Sequence, residues 1–216
     1  MMVDLNESLY KVDVEISDIF EGVKEELSWY KDRMMAYRET ITQDNDRIVS
    51  VYPSNGSHRL QKVKPGRLKI TEHDDFTTYW QKEQGTWMYF RVDRDEDKNI
   101  KELIDRVVKA AGYTGNDVQT SLSFKGPGYV LESHVDLDCE NNQWRYHVII
   151  ESNPDNFIIS NSSPPATFWA EDEDPNLDYK VIPQEGEVWA LKVTVNHSAG
   201  NRSESENSYH FIIDLV

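Results

Sequence analysis

Apolar residues recur along this chain at two spacings, and the spacing changes with position. Ile16, Ile19, Phe20, Val23, Leu27, Tyr30 and Met34 stand mostly three or four apart. That places one apolar stripe on a helix from about residue 15 to about 38. Ile100, Leu103, Ile104, Val107, Val108 and Ala111 repeat the pattern. Asn99 stands where an N-cap is expected, and Gly112 where a C-terminal cap wants a residue free to take positive φ.

Elsewhere the apolar residues are β-branched and aromatic and fall in short runs. The runs Arg47–Tyr52, Thr86–Val92, Gln119–Phe124, Gly128–His134, Trp144–Glu151, Asn156–Ser160, Ala166–Ala170, Glu187–Val195 and Ser208–Val216 read as strands. Breakers separate them at Gly126-Pro-Gly128, Asn153-Pro-Asp155, Ser163-Pro-Pro165, Pro183-Gln-Glu-Gly186 and Ser198-Ala-Gly-Asn201. The pattern predicts a mainly β sandwich or barrel, built chiefly from the second half, with the helices flanking it. No repeat or linker divides the chain. One domain of 1–216 is expected, with 1–118 as the flanking part and 119–216 as the β core.

Composition narrows the function classes. The 216 residues include six Trp and eleven Tyr, enough for a folded core, and carry a formal net charge of −16. Residues 111–216 hold 5 basic and 17 acidic side chains. That sign argues against a duplex nucleic-acid partner. No apolar stretch is long enough to span a membrane, and the N-terminus lacks the layout of a secretory signal, so a cytoplasmic protein is expected. The single cysteine, Cys139, excludes an internal disulfide and a multi-cysteine metal site. It reads as a spectator rather than a nucleophile. The basic run from His58 to Lys69 reads as an exposed hairpin or loop. The acidic stretches 93–97 and 172–178 lack the Gly and Glu of a calcium loop. Trp144, Trp169 and Trp189 read as core aromatics. No nucleophile elbow or dinucleotide-binding glycine loop is present.

The residues that carry chemistry are histidines and their neighbours. His134 and Asp136 are two apart at a strand end, so imidazole and carboxylate project to one face. His197, at the end of the predicted strand Glu187–Val195, could close a 2-His-1-carboxylate triad, which holds Fe(II) and leaves positions open. Arg145 and His147 again share a strand face, and an inward arginine needs an anion.

As a set, Ser123, His134-x-Asp136, Arg145-x-His147, Gly186-Glu-Val-Trp189, Asn196-His197 and His210-Phe-Ile-Ile-Asp214 resemble the aspartyl/asparaginyl β-hydroxylase family. That group of Fe(II)/2-oxoglutarate oxygenases includes bacterial proline hydroxylases. The resemblance covers roughly residues 119–216. It implies a double-stranded β-helix (a jelly-roll, cupin-like barrel) with N-terminal helices at its flank. It also implies Fe(II) on His134, Asp136 and His197, with 2-oxoglutarate and O2 as cosubstrates. Some animal members have Gly at the carboxylate position, whereas this chain keeps Asp136, as bacterial members do. By the same resemblance Arg145 and His147 would hold the 1-carboxylate of 2-oxoglutarate, and Ser123 would help at the far one.

One position departs. The family's last strand reads Arg-x-His-Leu-x-x-Asp, and that Arg pairs with the far carboxylate. Here the residue is Ser208. Arg202, Lys192 and His210 are candidates to supply the missing cation or donor. The expected activity is hydroxylation of a free amino acid or of a peptide or protein side chain, with residues 40–95 as the pocket lid. The Ser208 departure keeps open a cupin-type metalloenzyme that does not use 2-oxoglutarate. The acidic surface keeps open a catalytically silent β-helix serving as a binding module. Oligomeric state is not legible.

Overall fold

The fold was obtained as a computed structural model. It describes residues 8–41, 50–54, 57–61, 69–73, 76–81, 85–92, 97–115, 117–136, 143–161 and 179–215. The strands are β1 (Leu9–Lys11), β2 (Ser50–Ser54), β3 (Ser57–Gln61), β4 (Lys69–His73), β5 (Phe76–Gln81), β6 (Gly85–Arg91), β7 (Val118–Lys125), β8 (Tyr129–His134), β9 (Trp144–Glu151), β10 (Asn156–Asn161), β11 (Tyr179–Val181), β12 (Val188–Lys192), β13 (Asn196–Asn201) and β14 (Ser208–Leu215). Two helices accompany them, α1 (Phe20–Ile41) and α2 (Lys98–Ala110).

An eight-stranded antiparallel sheet runs β1-β12-β9-β14-β7-β6-β5-β4, and a four-stranded sheet runs β11-β10-β13-β8. From β7 to β14 the chain alternates between the two sheets, except that β10 and β11 both lie in the small one, and so winds as a double-stranded β-helix. The mainly β expectation holds. The first half contributes more to it than its pattern suggested: β4, β5 and β6 extend the large sheet beyond β7, and β1 closes the opposite edge against β12. β2 and β3 form a separate hairpin across the start of the basic run, and residues 62–68 of that run lie outside the described residues.

Period-two alternation sorts the large sheet into two faces. Leu122 and Phe124 of β7, Tyr146 and Val148 of β9, and Tyr209, Phe211 and Ile213 of β14 join Val23, Leu27, Tyr30, Ile100, Leu103 and Val107 of the helices in one buried cluster. Each such aliphatic side chain contributes about 1.5–3 kcal/mol when fully withdrawn from water. On the other face, Leu9, Ile149, Trp189 and Leu191 meet Ile158, Val181 and Ala199 between the sheets. Around Ile212 the rest of that inner face is polar, with Ser121, Ser123, Lys125, His147, Ser208 and His210 buried on it.

Several local expectations are corrected. The first helix begins at Phe20, not near 15. Glu15 accepts the Ser17 amide and a Ser17–Ile19 turn precedes the helix, yet Ile16 remains buried in the same core. The side chain of Met34 is outside those described. In α2 the N-cap is Asp97, without a side-chain cap bond. Glu26 of α1 caps the helix instead, accepting the backbone N–H groups of Asn99 and Ile100 and the Asn99 side-chain amide. Gly112 closes α2 at φ +66°, as its position suggested.

The largest correction concerns Ser198-Ala-Gly-Asn201, which is not a breaker but the body of β13. Its glycine is there for closeness: a Cβ on Gly200 would stand 2.6 Å from the Phe157 ring of the neighbouring strand. The strand Glu187–Val195 accordingly stops at Lys192. The strand expected at Ala166–Ala170, together with Trp169, Cys139 and the acidic stretch 172–178, falls outside the described residues, as does most of 93–97. Trp189 is buried between the sheets, and Trp144 packs half-buried against Tyr10 and the helix-side core.

Candidate active site

His134 ends β8, Asp136 follows two residues later, and His197 is the second residue of β13. The two histidines are register partners, and their ring centroids lie 4.3 Å apart. The register of β13 against β8 shifts between His197 and Ala199, an irregularity of the kind often found beside a site. The Asp136 amide donates to Val193 O across 3.0 Å, which ties the loop after β8 to the β12–β13 turn. One ligand atom from each of His134, Asp136 and His197 falls within a group spanning no more than 4.8 Å. The sequence placed His197 at the end of a strand; it stands at the start of the next one, and the pairing of β13 with β8 brings it home.

The donor set suits a divalent metal. His197 Nδ1 lies 2.9 Å from Val195 O, so Nδ1–H donates and Nε2 keeps its lone pair. Burial holds the His197 pKa down to about 4, and the His134 ring adds to the shift. Asp136 splits its oxygens: Oδ1 faces His134 Nε2 at 3.3 Å and Oδ2 meets Arg145 at 3.0 Å. Burial alone would raise the Asp136 pKa, but the His134 contact and the Arg145 charge outweigh it and hold the carboxyl well below its usual range. It is therefore ionised, as a ligand must be.

Arg145 also meets Asp214 of β14 through Nε at 2.8 Å. The anion that an inward arginine requires is thus furnished by two carboxylates of the chain itself. His147, two residues along β9 and on the same face, is buried; its Nδ1 lies 3.3 Å from His210 Nδ1, and its Nε2 has no partner among the described residues.

Proton positions in this interior follow from one chain of bonds. Ser152 Oγ donates to Pro183 O, so it accepts from Asn156 Nδ2. The same Asn156 amide donates to His210 Nε2 at 2.9 Å. His210 therefore carries its hydrogen on Nδ1 and donates to His147 Nδ1, which puts the His147 hydrogen on the unpartnered Nε2. Burial lowers both pKa values, so both imidazoles are neutral.

The remaining sequence candidates divide. Ser123 is buried on the inner face of β7, as register partner of His210. Ser208 is buried beyond it, its hydroxyl donating to Glu151 O. Arg202 is not brought into this interior: it is exposed, its guanidinium 5.2 Å from the centroid of the Phe157 ring. Lys192 follows Leu191 at the end of β12, and alternation turns it to the face opposite Trp189 and Leu191.

A residue that sequence reasoning passed over stands in their place. Lys125, the last residue of β7 and the register partner of Ser208, is buried, with Nζ 3.1 Å from His210 Nδ1 and 3.2 Å from Nε2. Burial lowers its pKa to about 7. Its signal was the one charged residue of the strand, closing it just before Gly126-Pro-Gly128.

No protein-family model matches the chain, and no curated protein sequence matches it. Solved structures do. A prolyl-4-hydroxylase from Pseudomonas putida aligns at TM-score 0.55 and 11% identity, over 98% of this chain and 95% of that one. AviO1 from Streptomyces viridochromogenes aligns at TM-score 0.53 and 12% identity, over 98% and 90%. EvdMO1 aligns at TM-score 0.52 and 13% identity, over 98% of this chain and 47% of that one. The shared feature is the fold. Among the described residues no helix is long and apolar enough to cross a membrane.

Proposed function

We propose that this protein is a non-haem Fe(II)/2-oxoglutarate-dependent oxygenase that hydroxylates an amino acid, free or within a peptide or protein. The observation that carries the reading is the convergence of His134, Asp136 and His197 at the barrel mouth. It is supported by the ionised state of Asp136, by the neutral His197 with its Nδ1–H already committed, and by a fold shared with a protein named as a prolyl-4-hydroxylase.

In this reading His134, Asp136 and His197 hold the metal on one side. Arg145 holds Asp136 Oδ2 and leaves Oδ1 toward the His134 side, so Asp136 would offer that oxygen to a metal. His147 Nε2–H, buried and without an acceptor among the described residues, would donate to the carboxylate next to the oxo group. Bound iron and 2-oxoglutarate would supply the oxygen activation and hydroxyl transfer. The protein positions the groups, neutralises charge and excludes water. No side chain is required to take a proton in the difficult step, which agrees with the neutral, buried imidazoles.

The test is an anaerobic optical titration: Fe(II) into metal-free protein, then 2-oxoglutarate. A visible charge-transfer band that saturates supports the assignment of metal and cosubstrate together. Iron binding without a band overturns the cosubstrate and favours the cupin-type reading, to which Ser208 had pointed. Absence of iron binding leaves the β-helix as a binding module.

A further inference from the structure

The proposed cosubstrate has two carboxylates, and one of them ends remote from the metal. Ser208 gives that carboxylate no counter-charge. On the inner face, however, Lys125 is the cross-strand neighbour of Ser208. It is 2% exposed. The contacts of its ammonium are the two ring nitrogens of His210, and no carboxylate pairs with it among the described residues. Those ring nitrogens are poor acceptors here. Nε2 already receives the Asn156 amide, and Nδ1 carries the hydrogen given to His147. A cation buried without an acceptor is costly. Its position makes sense if a bound anion completes it.

Position along the sheet agrees. Asp214 and Arg145 pair at the mouth, and His210 lies four residues further in on β14. Lys125 touches His210, so its charge sits behind the metal end of the same inner face. His147 stands opposite Ile212, between Asp214 and His210 in the register, and its Nε2–H has no partner among the described residues. An anion with one carboxylate at the metal and another deeper in would meet both donors.

We propose that Lys125 receives the remote carboxylate of a dicarboxylic 2-oxo acid, replacing from β7 the cation that Ser208 lacks on β14. The proposal rests on the oxygenase reading above and names the residue that selects its cosubstrate. It requires no covalent step, because Lys125 acts as a fixed charge and hydrogen-bond donor.

The experiment compares two acids on the Fe(II)-loaded, oxygen-free protein. One is 2-oxoglutarate; the other is 2-oxopentanoate, which carries a methyl group where 2-oxoglutarate has its remote carboxylate. Binding is read from the charge-transfer band and by calorimetry, without turnover. The wild-type protein is expected to favour 2-oxoglutarate by at least about 30-fold, the size of one charge-assisted hydrogen bond. In Lys125→Met that preference should collapse to within about 3-fold by loss of 2-oxoglutarate affinity alone, while Ser208→Arg added to Lys125→Met should restore part of it. Lys125→Gln serves if the methionine variant does not fold. Equal binding of the two acids by the wild type, or an undiminished preference in the Lys125 variants, overturns the assignment while leaving the oxygenase reading standing. Iron binding with no band from either acid overturns the oxygenase reading itself, and this assignment with it.

Discussion

The two faces of the large sheet are made by the same strands and differ in almost every physical respect. Toward the helices, β7, β9 and β14 present Leu122, Phe124, Val148, Phe211 and Ile213, all buried and apolar. Toward the small sheet the alternate residues include Ser121, Ser123, Lys125, Arg145, His147, Ser208 and His210, of which all but Arg145 are just as buried, beside the apolar Ile149 and Ile212. One face gains stability by removing hydrocarbon from water. The other buries polar groups, and among the described residues its Ser121 Oγ and His147 Nε2 have no partner. Buried groups left unsatisfied lower stability. A fold that keeps them is spending stability on something the apolar face does not do. The comparison teaches where to look for function in a β-helix: on the inner face, at its unsatisfied atoms.

The comparison can be broken at several points. The largest effect is expected at the donor cluster that β8 and β13 of the small sheet bring together. Asp136→Ala and His134→Ala should each lower metal affinity by well over ~100-fold and abolish turnover. The far-ultraviolet circular dichroism should stay native, because neither residue packs in the apolar clusters. Retained metal binding in both would remove the basis of the site.

Next in size is the opposite face. Phe211→Ala should destabilise by about 3–5 kcal/mol in denaturant unfolding. It should leave the metal affinity of the folded fraction unchanged. A selective loss of metal binding at full stability would show that the two faces are not separable.

Lys125→Met sharpens the contrast by moving two quantities in opposite directions. Removing a buried cation with no carboxylate partner should stabilise the metal-free protein by about 1–4 kcal/mol, while weakening 2-oxoglutarate. The sign agrees with linkage: the folded Lys125 pKa, about 7, lies below its ordinary 10.5. The unfolded chain then holds more protons, and stability rises with pH across that interval. The melting temperature of the wild type should climb relative to Lys125→Met between those pH values. Parallel profiles would contradict a buried ammonium.

Acid acts on the same face through its imidazoles. Burial holds the pKa of His197 at about 4, and those of His147 and His210 also below the ordinary 6.5. The unfolded chain takes up protons first, so stability present above pH 6.5 is lost as pH falls toward 4. Asp136, held below its usual value, removes more in stronger acid. A melting temperature flat from pH 7.5 to 4.5 would exclude neutral buried histidines. The smallest effect belongs to the helix layer. Glu26→Ala should cost about 1 kcal/mol by uncapping α2, without any change at the metal site.

Much of the molecule was legible in its residues. The strands from β7 to β10 and β14 were marked by β-branched and aromatic runs, because those side chains suit a pleated sheet whether or not its partners are known. His134, Asp136 and His197 were legible as a candidate group from their residue types, although Asp136 lies beyond the end of β8 and His197 reaches them through cross-strand pairing. Misreadings occurred where a residue type has two uses. Gly200 was read as a turn, but it admits the Phe157 ring across a strand pair. Asn99 was read as a cap, but it packs against Glu26, which does the capping from another helix. Phe76–Gln81 carries strand-forming residues and extends the large sheet, yet its run was passed over.

The sequence by itself determined which residues alternate, which cluster of donors could take a metal, and that the last strand lacks an arginine. These are local properties, set by side-chain type and by a period of two residues. Only the tertiary structure decided which strand lies beside which. Register put Lys125 opposite Ser208, 83 positions away in the chain, and set His197 opposite His134. It also sent Arg202 to the surface and gave Arg145 two carboxylates of the chain's own. Cross-strand pairing depends on closing loops of tens of residues and on burying whole faces at once. No local pattern encodes that choice, and it is the choice that assembles the site.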